Sequence, residues 1–359
     1  MRRMRRVLHV VTADAPWDML SQAAALAGEG DRIISAGPAP RPERFARDVM
    51  PVRATPNVAF LLARRMRGPA EGMDLVHAWS GSAARAARSA RLPVLVSLPC
   101  VPPDGELDLL LGGLFDRLWR LTVPTEWARR RLVRLGAVED SVFVLPPAAE
   151  PIDEAADRRG RIRKALGLTE RQFLLVAPSE MTRDAGHKWA VWAHAIGRMF
   201  APQLRLLLYG AGPAERAVRR FAATTGYDGE IFFTGFRFGL CDVLAGADAA
   251  LFLHDRPCGV GALARAMSGG LPIAASACGD IAVCAPKEHA ALLSPPGDIR
   301  GAAANLMRLV EQADLRGRLG SRAAALAGER FTAKGARSRV SGIYGVVSAG
   351  GGSTGAEET

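Results

Sequence analysis

Short apolar runs alternate with amphipathic stretches along most of the chain. The run VLHVVTA (7–13) is followed by the helical pattern DMLSQAAALAGEG and then by apolar residues at Ile33 and Ile34. Short apolar runs are typical of buried strands, and apolar positions three or four apart are typical of helices. A strand, a helix and a strand in this order predict the beginning of a parallel sheet.

The alternation continues and then restarts halfway along the chain. It runs through DLVHAWS (74–80), LPVLVSLP (92–99) and SVFVLP (141–146), and it begins again at QFLLVAPS (172–179) after a charged stretch. This spacing predicts two Rossmann-like, doubly wound α/β domains, 1–155 and 156–335, with a linker near 151–161. We expect them to face a cleft bounded by the carboxyl ends of both sheets. The Gly- and Ser-rich tail, 348–359, is predicted to be disordered.

Composition limits the class of partner. Hydrophobic residues make up 49% and charged residues 23% of the 359 residues, and the net charge is +11. Of the 47 basic residues only four are lysines, so 43 are arginines. This excess favours anionic partners such as phosphorylated substrates or acidic lipids. Nucleic acid is not expected, because aromatic residues are only 6% and no basic run is interleaved with them.

The cysteines and the apolar runs indicate a cellular location. Five cysteines, an odd number, form no CxxC pair, so free thiols in a reducing compartment and no zinc site are expected. No apolar run approaches the roughly 18 residues of a membrane span, and the amino terminus does not resemble a signal peptide. We therefore predict a cytoplasmic protein, soluble or peripherally attached to a membrane.

One leucine-rich segment leaves a membrane contact open. ELDLLLGGLFDRLWRL (106–121) joins leucines to Trp119 and two arginines, and ARRRLVRLG (128–136) follows. The pattern fits a surface that rests on anionic lipid, and it fits better a core helix followed by a solvated basic face.

A series of motifs in the second half resembles a known enzyme family. LRLLLYGAGP (204–213), IFFTGF (231–236), LAGADAALFLH (244–254), ALARAMSGGLPIAAS (262–276), CGD (278–280) and ALLSPPGD (291–298) follow one another. Their order and spacing are similar to those of retaining glycosyltransferases of the GT-B fold, family four. The resemblance implies metal-independent transfer of a sugar from a nucleotide diphosphate sugar to an unidentified acceptor. It also implies a last helix, 336–347, that crosses back to the first domain.

The resemblance implies where the donor would bind. The base would lie near 233–236, which includes Phe236, and the glycine turn at Gly212 precedes it. The diphosphate would lie near the backbone of Gly259, Val260 and Gly261, where a helix amino terminus offers N–H donors. Arg183 and Lys188 would supply positive charge. Gly259 and Gly261 are equally well explained as residues that turn the chain into a helix. Arg183 and Lys188 are equally well explained as ordinary surface residues.

Several positions depart from the family pattern. Pro257 and Arg265 stand where the family has two glutamates, and an arginine has only hydrogen-bond donors where a carboxylate would accept from sugar hydroxyls. Glu180 and Ala185 stand where the family has an arginine and a lysine that clamp the diphosphate.

Two candidate catalytic residues remain, and three functions stay open. Asp255 lies two residues before the first altered glutamate position, and His77, in DLVHAWS, matches a frequent family residue; both are also explained as non-catalytic. The first function is a divergent glycosyltransferase of hexosyltransferase type. The second is a binding or partner protein that keeps the fold but is catalytically impaired, and the third is another reaction on nucleotide sugars, such as epimerisation or phosphorolysis.

Overall fold

The chain folds into two compact units. The structure, a computed structural model, describes residues 5–12, 19–36, 49–51, 68–101, 119–256 and 260–350. The first unit comprises Met1–Ala148 together with Ala333–Thr359, and the second comprises Ala149–Thr332. In the described part of the chain, no helix is both long and apolar enough to span a bilayer.

The first unit is built on a seven-stranded parallel sheet in the order β3-β2-β1-β4-β5-β6-β7. Every residue of β1 is buried, as expected for a parallel sheet covered on both faces. Ser80 and Thr125 cap α2 and α3 by accepting hydrogen bonds from Ala83 N and Ala128 N. The strands are β1 (Val7–Thr12), β2 (Arg32–Ala36), β3 (Val49–Pro51), β4 (Leu75–Ala78), β5 (Val94–Ser97), β6 (Trp119–Val123) and β7 (Val142–Val144), and the helices are α1 (Met19–Leu26), α2 (Gly81–Ala87) and α3 (Glu126–Arg134).

The second unit is built on a six-stranded parallel sheet in the order β10-β9-β8-β11-β12-β13. The chain reverses its direction of travel across the sheet between β8 and β11, which makes this pair the topological switch point. The strands are β8 (Phe173–Pro178), β9 (Leu204–Tyr209), β10 (Ile231–Gly235), β11 (Ala249–Phe252), β12 (Ile273–Ser276) and β13 (Ala291–Ser294). The helices are α4 (Ala155–Ala165), α5 (His187–Arg198), α6 (Glu215–Thr224), α7 (Leu240–Gly246), α8 (Gly261–Ser268), α9 (Asp280–Cys284), α10 (Ile299–Glu311) and α11 (Ala313–Arg330).

Helix α4 belongs to the second unit because a buried arginine ties it to the sheet. Arg163 is 1% exposed, and its Nη1 donates to Asp248 Oδ2 at 3.2 Å. Its Nη2 donates to the carbonyl oxygens of Thr169 and Gln172 at 2.7 and 2.6 Å. Asp248 Oδ2 also accepts from Leu174 N in β8 at 2.7 Å. The units therefore divide before α4, whereas the sequence pattern placed the division at 155 and 156.

The last helix, α12 (Ala333–Gly350), is part of the first unit. Its buried residues Ala336, Val340, Ile343 and Tyr344 pack into the core that contains Val7 and other β1 residues. The helix is longer at both ends than the predicted span 336–347, and it includes the first residues of the predicted disordered tail. The rest of that tail, 351–359, lies outside the described residues.

Candidate functional site

Three loops meet at the carboxyl ends of the strands around the switch point of the second unit. They follow β8 (179–186), β9 (210–214) and β11 (253–256), and we call them the carboxyl-edge loops. Open parallel sheets bind ligands at this edge, in the crevice next to the switch point. These loops are therefore the candidate site.

Glycines allow the carboxyl-edge loops to approach one another backbone to backbone. Gly186 has φ +72°, and a Cβ on it would lie 1.9 Å from the carbonyl oxygen of Leu253. Gly210 has φ +125°, and a Cβ there would lie 2.0 Å from the carbonyl oxygen of Ser179. These separations are far below van der Waals contact, and the φ values are ones that only glycine adopts readily. The sequence requires glycine at both positions to form this edge.

Gly212, predicted from sequence as part of the donor site, packs in the same way. A Cβ on it would lie 2.7 Å from the carbonyl oxygen of Met181. Met181 N donates to Ala211 O at 3.1 Å, and Ala214 N donates to Met181 O at 2.8 Å. The loop after β9 is thus hydrogen-bonded to the loop after β8.

Asp255 joins the loop after β11 to the start of α5. Its Oδ1 accepts from Trp189 Nε1 at 2.6 Å, and its backbone N donates to Asp184 O at 3.2 Å. One carboxylate oxygen of this predicted catalytic residue is therefore engaged in holding the loop. The structure gives Asp255 a structural task, and a catalytic one remains a prediction.

Two buried histidines lie at the switch point. His187 begins α5 and is 2% exposed; His254 follows β11 and is 4% exposed, with its Nε2 3.1 Å from Ser179 Oγ. Neither ring nitrogen of His187, nor Nδ1 of His254, meets the geometry of a full hydrogen bond within the described residues, although the backbones of Ser179 and Phe252 lie beside the two rings. Sequence reasoning missed both, and their positions at a helix start and a strand end were the only available signals.

Burial keeps both histidines neutral near pH 7. Loss of solvation, with a smaller contribution from His254, lowers the pKa of His187 to about 3, although the backbone of Ser179 opposes the change. Loss of solvation likewise lowers the pKa of His254 to about 4, against an opposing contribution from the backbone of Phe252. Two neutral imidazoles therefore lie beneath the carboxyl-edge loops.

The other predicted donor contacts of the second unit lie at the same edge of the sheet. Arg183 and Lys188 are exposed, in the loop after β8 and at the start of α5. Phe236 follows β10, and its ring meets that of Tyr209 edge-on at 5.7 Å. Val260 is the N-cap of α8 and Gly261 its first residue, and both are buried. Gly259 and Pro257 lie outside the described residues.

Arg265 binds the segment that enters the second unit. Its Nη1 donates to the carbonyl oxygen of Glu150 at 3.0 Å. A Cβ on Gly269, at the end of the same helix, would lie 2.6 Å from Ile152 Cδ1, so α8 packs closely on that segment. The arginine that replaces a family glutamate thus has a partner within the protein.

His77 lies in the interior of the first unit. It is 0% exposed, with Nδ1 2.8 Å from Tyr344 Oη and Nε2 2.7 Å from Ser97 Oγ, which in turn lies 2.6 Å from Thr122 Oγ1. Burial, with a smaller effect of His9, lowers its pKa well below the usual 6.5. One ring nitrogen joins the sheet to α12 and the other joins β4 to β5, which favours a structural role over a catalytic one.

The described residues contain no cluster of metal ligands and include little of the leucine-rich segment. Across 5–12, 19–36, 49–51, 68–101, 119–256 and 260–350, no group of three or more His, Cys, Asp or Glu side chains is arranged to hold a metal ion. Most of the leucine-rich segment, 106–118 of 106–121, lies outside the described residues.

Comparisons with known proteins identify the fold and the type of domain. Residues 172–312 match the family model described as glycosyl transferases group 1. Solved structures share the fold of both units and cover nearly the whole chain. Anabaena HepE in complex with UDP and glucose has a TM-score of 0.80 and 16% identity, covering 95% of this chain and 100% of its own.

Two further solved structures show the same likeness. Sucrose-phosphate synthase from Thermosynechococcus elongatus has a TM-score of 0.76 and 16% identity over 96% of this chain and 100% of its own. WaaG, a glycosyltransferase involved in lipopolysaccharide biosynthesis, has a TM-score of 0.70 and 16% identity. The match covers 94% of this chain and 99% of WaaG. No curated protein sequence matches this chain significantly.

The fold is GT-B, with two Rossmann-like units, as the sequence predicted. Within the second unit, residues 172–312 are similar to group 1 glycosyltransferases, which supports the expectation of a glycosyltransferase.

Proposed function

We propose that the protein transfers a hexose from a nucleotide diphosphate sugar to an acceptor hydroxyl, with retention of configuration and without a metal ion, as a divergent relative of family four. The observation that carries the proposal is the match of 172–312, which includes the described carboxyl-edge loops and the start of α8. UDP-glucose is the first donor to test, because HepE was solved in complex with UDP-glucose and with UDP.

The donor would bind along the carboxyl edge of the second unit. Its diphosphate lies at the amino terminus of α8, where the first N–H groups have no partner within the helix and the helix dipole favours an anion. Gly261 carries no side chain that would keep a phosphate away from the backbone. Arg183 and Lys188 are exposed on the same edge and supply charge-assisted hydrogen bonds. The base lies near Phe236.

The chemistry relies on positioning more than on a protein nucleophile. The bond between the sugar C1 and the diphosphate oxygen breaks, a bond from C1 to the acceptor oxygen forms on the same face, and the acceptor proton passes to the departing diphosphate. Positive charge near the diphosphate stabilises the leaving group. Binding of donor and acceptor in one geometry lowers the entropic part of the barrier.

A binding protein without transferase activity is the second candidate, and Arg265 favours it. Its hydrogen bond to Glu150 fills a position where the family carries a carboxylate that accepts from the donor. Loss of such an acceptor weakens binding by about 1–3 kcal/mol. The fold could then persist as a partner or regulatory protein.

One experiment separates the two candidates. Purified protein is incubated with UDP-, GDP- and ADP-sugars, with and without candidate acceptors, and both the melting temperature and the released nucleotide diphosphate are measured. Release or transfer above a heat-inactivated control supports the transferase. A melting shift with no release supports the binding protein, and no shift and no release with any donor contradicts both.

Contact with anionic lipid is proposed for the first unit, on the basis of α3. Arg130, Arg131 and Arg134 are exposed on this helix, and the Arg130 side chain is 72% exposed. Glu126 lies 3.3 Å from Arg130 Nε and reduces the positive charge of the surface. Co-sedimentation should be stronger with acidic than with neutral liposomes, and weaker when Arg131 and Arg134 are replaced by glutamine. Equal sedimentation with acidic and neutral liposomes would contradict the proposed contact with anionic lipid.

A further inference from the structure

The outward face of α5 is apolar after its first turn. A helix that covers one face of a sheet normally presents charged or polar side chains to water. In α5 the residues four, seven and eleven positions after Lys188, which share one stripe of the helix, are Trp192, Ala195 and Met199. Trp192 is 45% exposed, Met199 is 70% exposed, and the next residue, Phe200, is 71% exposed. We call Trp192, Met199 and Phe200 the α5 patch.

The α5 patch is a concentration of apolar surface. In the described part of the chain six large apolar side chains are exposed, and three of them form the patch. The patch continues into α6 through Phe221, whose ring meets that of Trp192 edge-on with centroids 6.0 Å apart. Single exposed apolar residues are ordinary, whereas a group of neighbouring ones marks a surface that contacts a partner.

Positive charge borders the α5 patch on both sides. Helices α6 (ERAVRRFAAT) and α10 (IRGAAANLMRLVE) both pack against α5, and together they carry five arginines and two glutamates. Arg216 and Arg220 of α6 are exposed and form no ion pair with any described residue. Arg300 is exposed in the first turn of α10, where the neighbouring Asp298 serves as the N-cap. An anionic partner is therefore favoured.

Charge and size select the kind of partner. A second copy of the chain would bring the same arginines against these ones, because a two-fold interface uses the same surface on both subunits, and each copy carries a net charge of +11. The stretch from Trp192 to Phe200 is one helix wide and about 12 Å long, at about 1.5 Å per residue. It supplies only a small part of the roughly 800 Å² that each partner contributes to a stable protein interface.

An anionic bilayer surface accommodates both kinds of side chain. Tryptophan, phenylalanine and methionine can enter the boundary between headgroups and acyl chains, and such a contact needs only a few apolar side chains from one helix. Arginines beside them stay at the level of the headgroups, where their charge is attracted to acidic lipids.

We propose that the second unit binds the surface of an anionic membrane through the α5 patch, with Arg216 and Arg220 of α6 against the acidic headgroups. This contact differs from the one proposed on α3, which lies in the first unit and rests on arginines alone. It is independent of the proposed transferase function, and no residue of the patch is assigned to the donor.

Vesicle binding tests the apolar part of the contact. The full chain is co-sedimented with vesicles of phosphatidylcholine and with vesicles of equal parts phosphatidylcholine and phosphatidylglycerol. We expect binding to the acidic vesicles, about tenfold weaker in Met199→Gln/Phe200→Gln because two apolar side chains no longer insert. Val346→Gln, which replaces an apolar residue that is 52% exposed on α12, is the matched control and should bind as wild type. The replaced side chains are exposed, so the melting temperatures should not change.

The fluorescence of Trp192 measures insertion directly. Among the described tryptophans only Trp192 is exposed. Lipids with brominated acyl chains quench a tryptophan that reaches the hydrocarbon boundary, so wild-type fluorescence should fall on binding. Trp192→Phe should keep binding and lose most of this quenching. Trp127→Phe, which changes a half-buried residue of α3 in the first unit, should keep the quenching.

Replacement of the bordering arginines tests the charge. Arg216→Gln/Arg220→Gln should reduce the preference for acidic over neutral vesicles by about tenfold, because two cations near the surface are lost. Arg161→Gln/Lys164→Gln removes two exposed cations from α4, which packs against α7, and should leave the preference unchanged.

These measurements are repeated in an Arg131→Gln/Arg134→Gln background, so that α3 cannot account for the binding. The proposal is overturned if the protein does not bind acidic vesicles, if Met199→Gln/Phe200→Gln binds them like wild type, or if Trp192→Phe keeps the quenching. It is also overturned if the lipid-free wild type is a dimer that Met199→Gln/Phe200→Gln makes monomeric, because the patch would then be an interface between copies.

Discussion

Replacement of Gly186 by alanine tests whether close backbone approach forms the carboxyl edge. Gly186 has φ +72°, and Gly226, after α6, has φ +73°. A Cβ at Gly186 would lie 1.9 Å from Leu253 O, whereas a Cβ at Gly226 would meet nothing within 4 Å. Gly226→Ala therefore measures the cost of the backbone conformation alone, and Gly186→Ala measures that cost together with the displacement of the loop after β11.

The expected loss of stability in each variant follows from the backbone conformation and from the atoms around the new Cβ. Left-handed backbone costs an alanine about 1–2 kcal/mol, offset in part by the lower entropy of the unfolded chain. Overpacking against backbone adds about 2–3 kcal/mol or more at Gly186. In a unit of this size that excess corresponds to a further fall in melting temperature of about 5–10 °C.

Differential scanning calorimetry of the two variants and wild type measures how much more stability Gly186→Ala loses than Gly226→Ala. The displaced loops should also weaken nucleotide binding in Gly186→Ala while Gly226→Ala binds as wild type. If the two variants lose the same stability, the loops after β8 and β11 are not in contact through Gly186, and the geometry assigned to the site is wrong.

Three further changes have defined outcomes. Arg163→Met should lower the free energy of unfolding by about 3 kcal/mol in urea, because it leaves the carbonyl oxygens of Thr169 and Gln172 without their donor; the exposed Arg161→Met should change little, and equal effects would contradict the assigned hydrogen bonds. Arg265→Glu should tighten nucleotide diphosphate sugar binding about tenfold by calorimetry if a hydrogen-bond acceptor is restored; unchanged binding in a folded variant would show that this helix does not contact the donor. His187 and His254 have folded pKa values of about 3 and about 4, below the ordinary 6.5, so the unfolded chain takes up protons first and stability should fall as the pH drops from about 6.5 towards about 3–4. Each adds a slope of up to roughly 1.4 kcal/mol per pH unit, and a pH profile unchanged in a His254→Gln variant would refute this.

The alternation of strands and helices predicted most of the fold. Runs such as QFLLVAPS and LRLLLYGAGP are apolar on both faces, so they were expected in a parallel sheet, and they became the neighbouring strands β8 and β9. The pattern did not predict that α4 packs on the sheet of the second unit, because charged residues normally indicate a solvated segment. Arg163, two residues after the predicted linker, is instead buried and paired with Asp248.

The sequence predicted where several site residues lie in the fold, but it did not predict which residues they contact. Gly212 and Gly261 follow or begin elements at the carboxyl edge, and an edge location follows from the order of elements alone. Hydrogen bonds between segments that are distant in sequence do not follow from that order. His254 next to Ser179, Asp255 beside Trp189 and Arg265 beside Glu150 depend on how loops fold back, which no local pattern encodes.

The proposed function requires that the second unit bind a nucleotide diphosphate sugar through Arg183 and Lys188. Isothermal titration calorimetry of UDP-glucose, GDP-mannose and ADP-glucose measures this binding directly, with an Arg183→Gln/Lys188→Gln variant and an Arg161→Gln/Lys164→Gln control on α4. We expect saturable binding of at least one donor, about tenfold weaker in the first variant and unchanged in the control. Equal affinity in all three proteins, or no binding of any donor to the wild type, would contradict it.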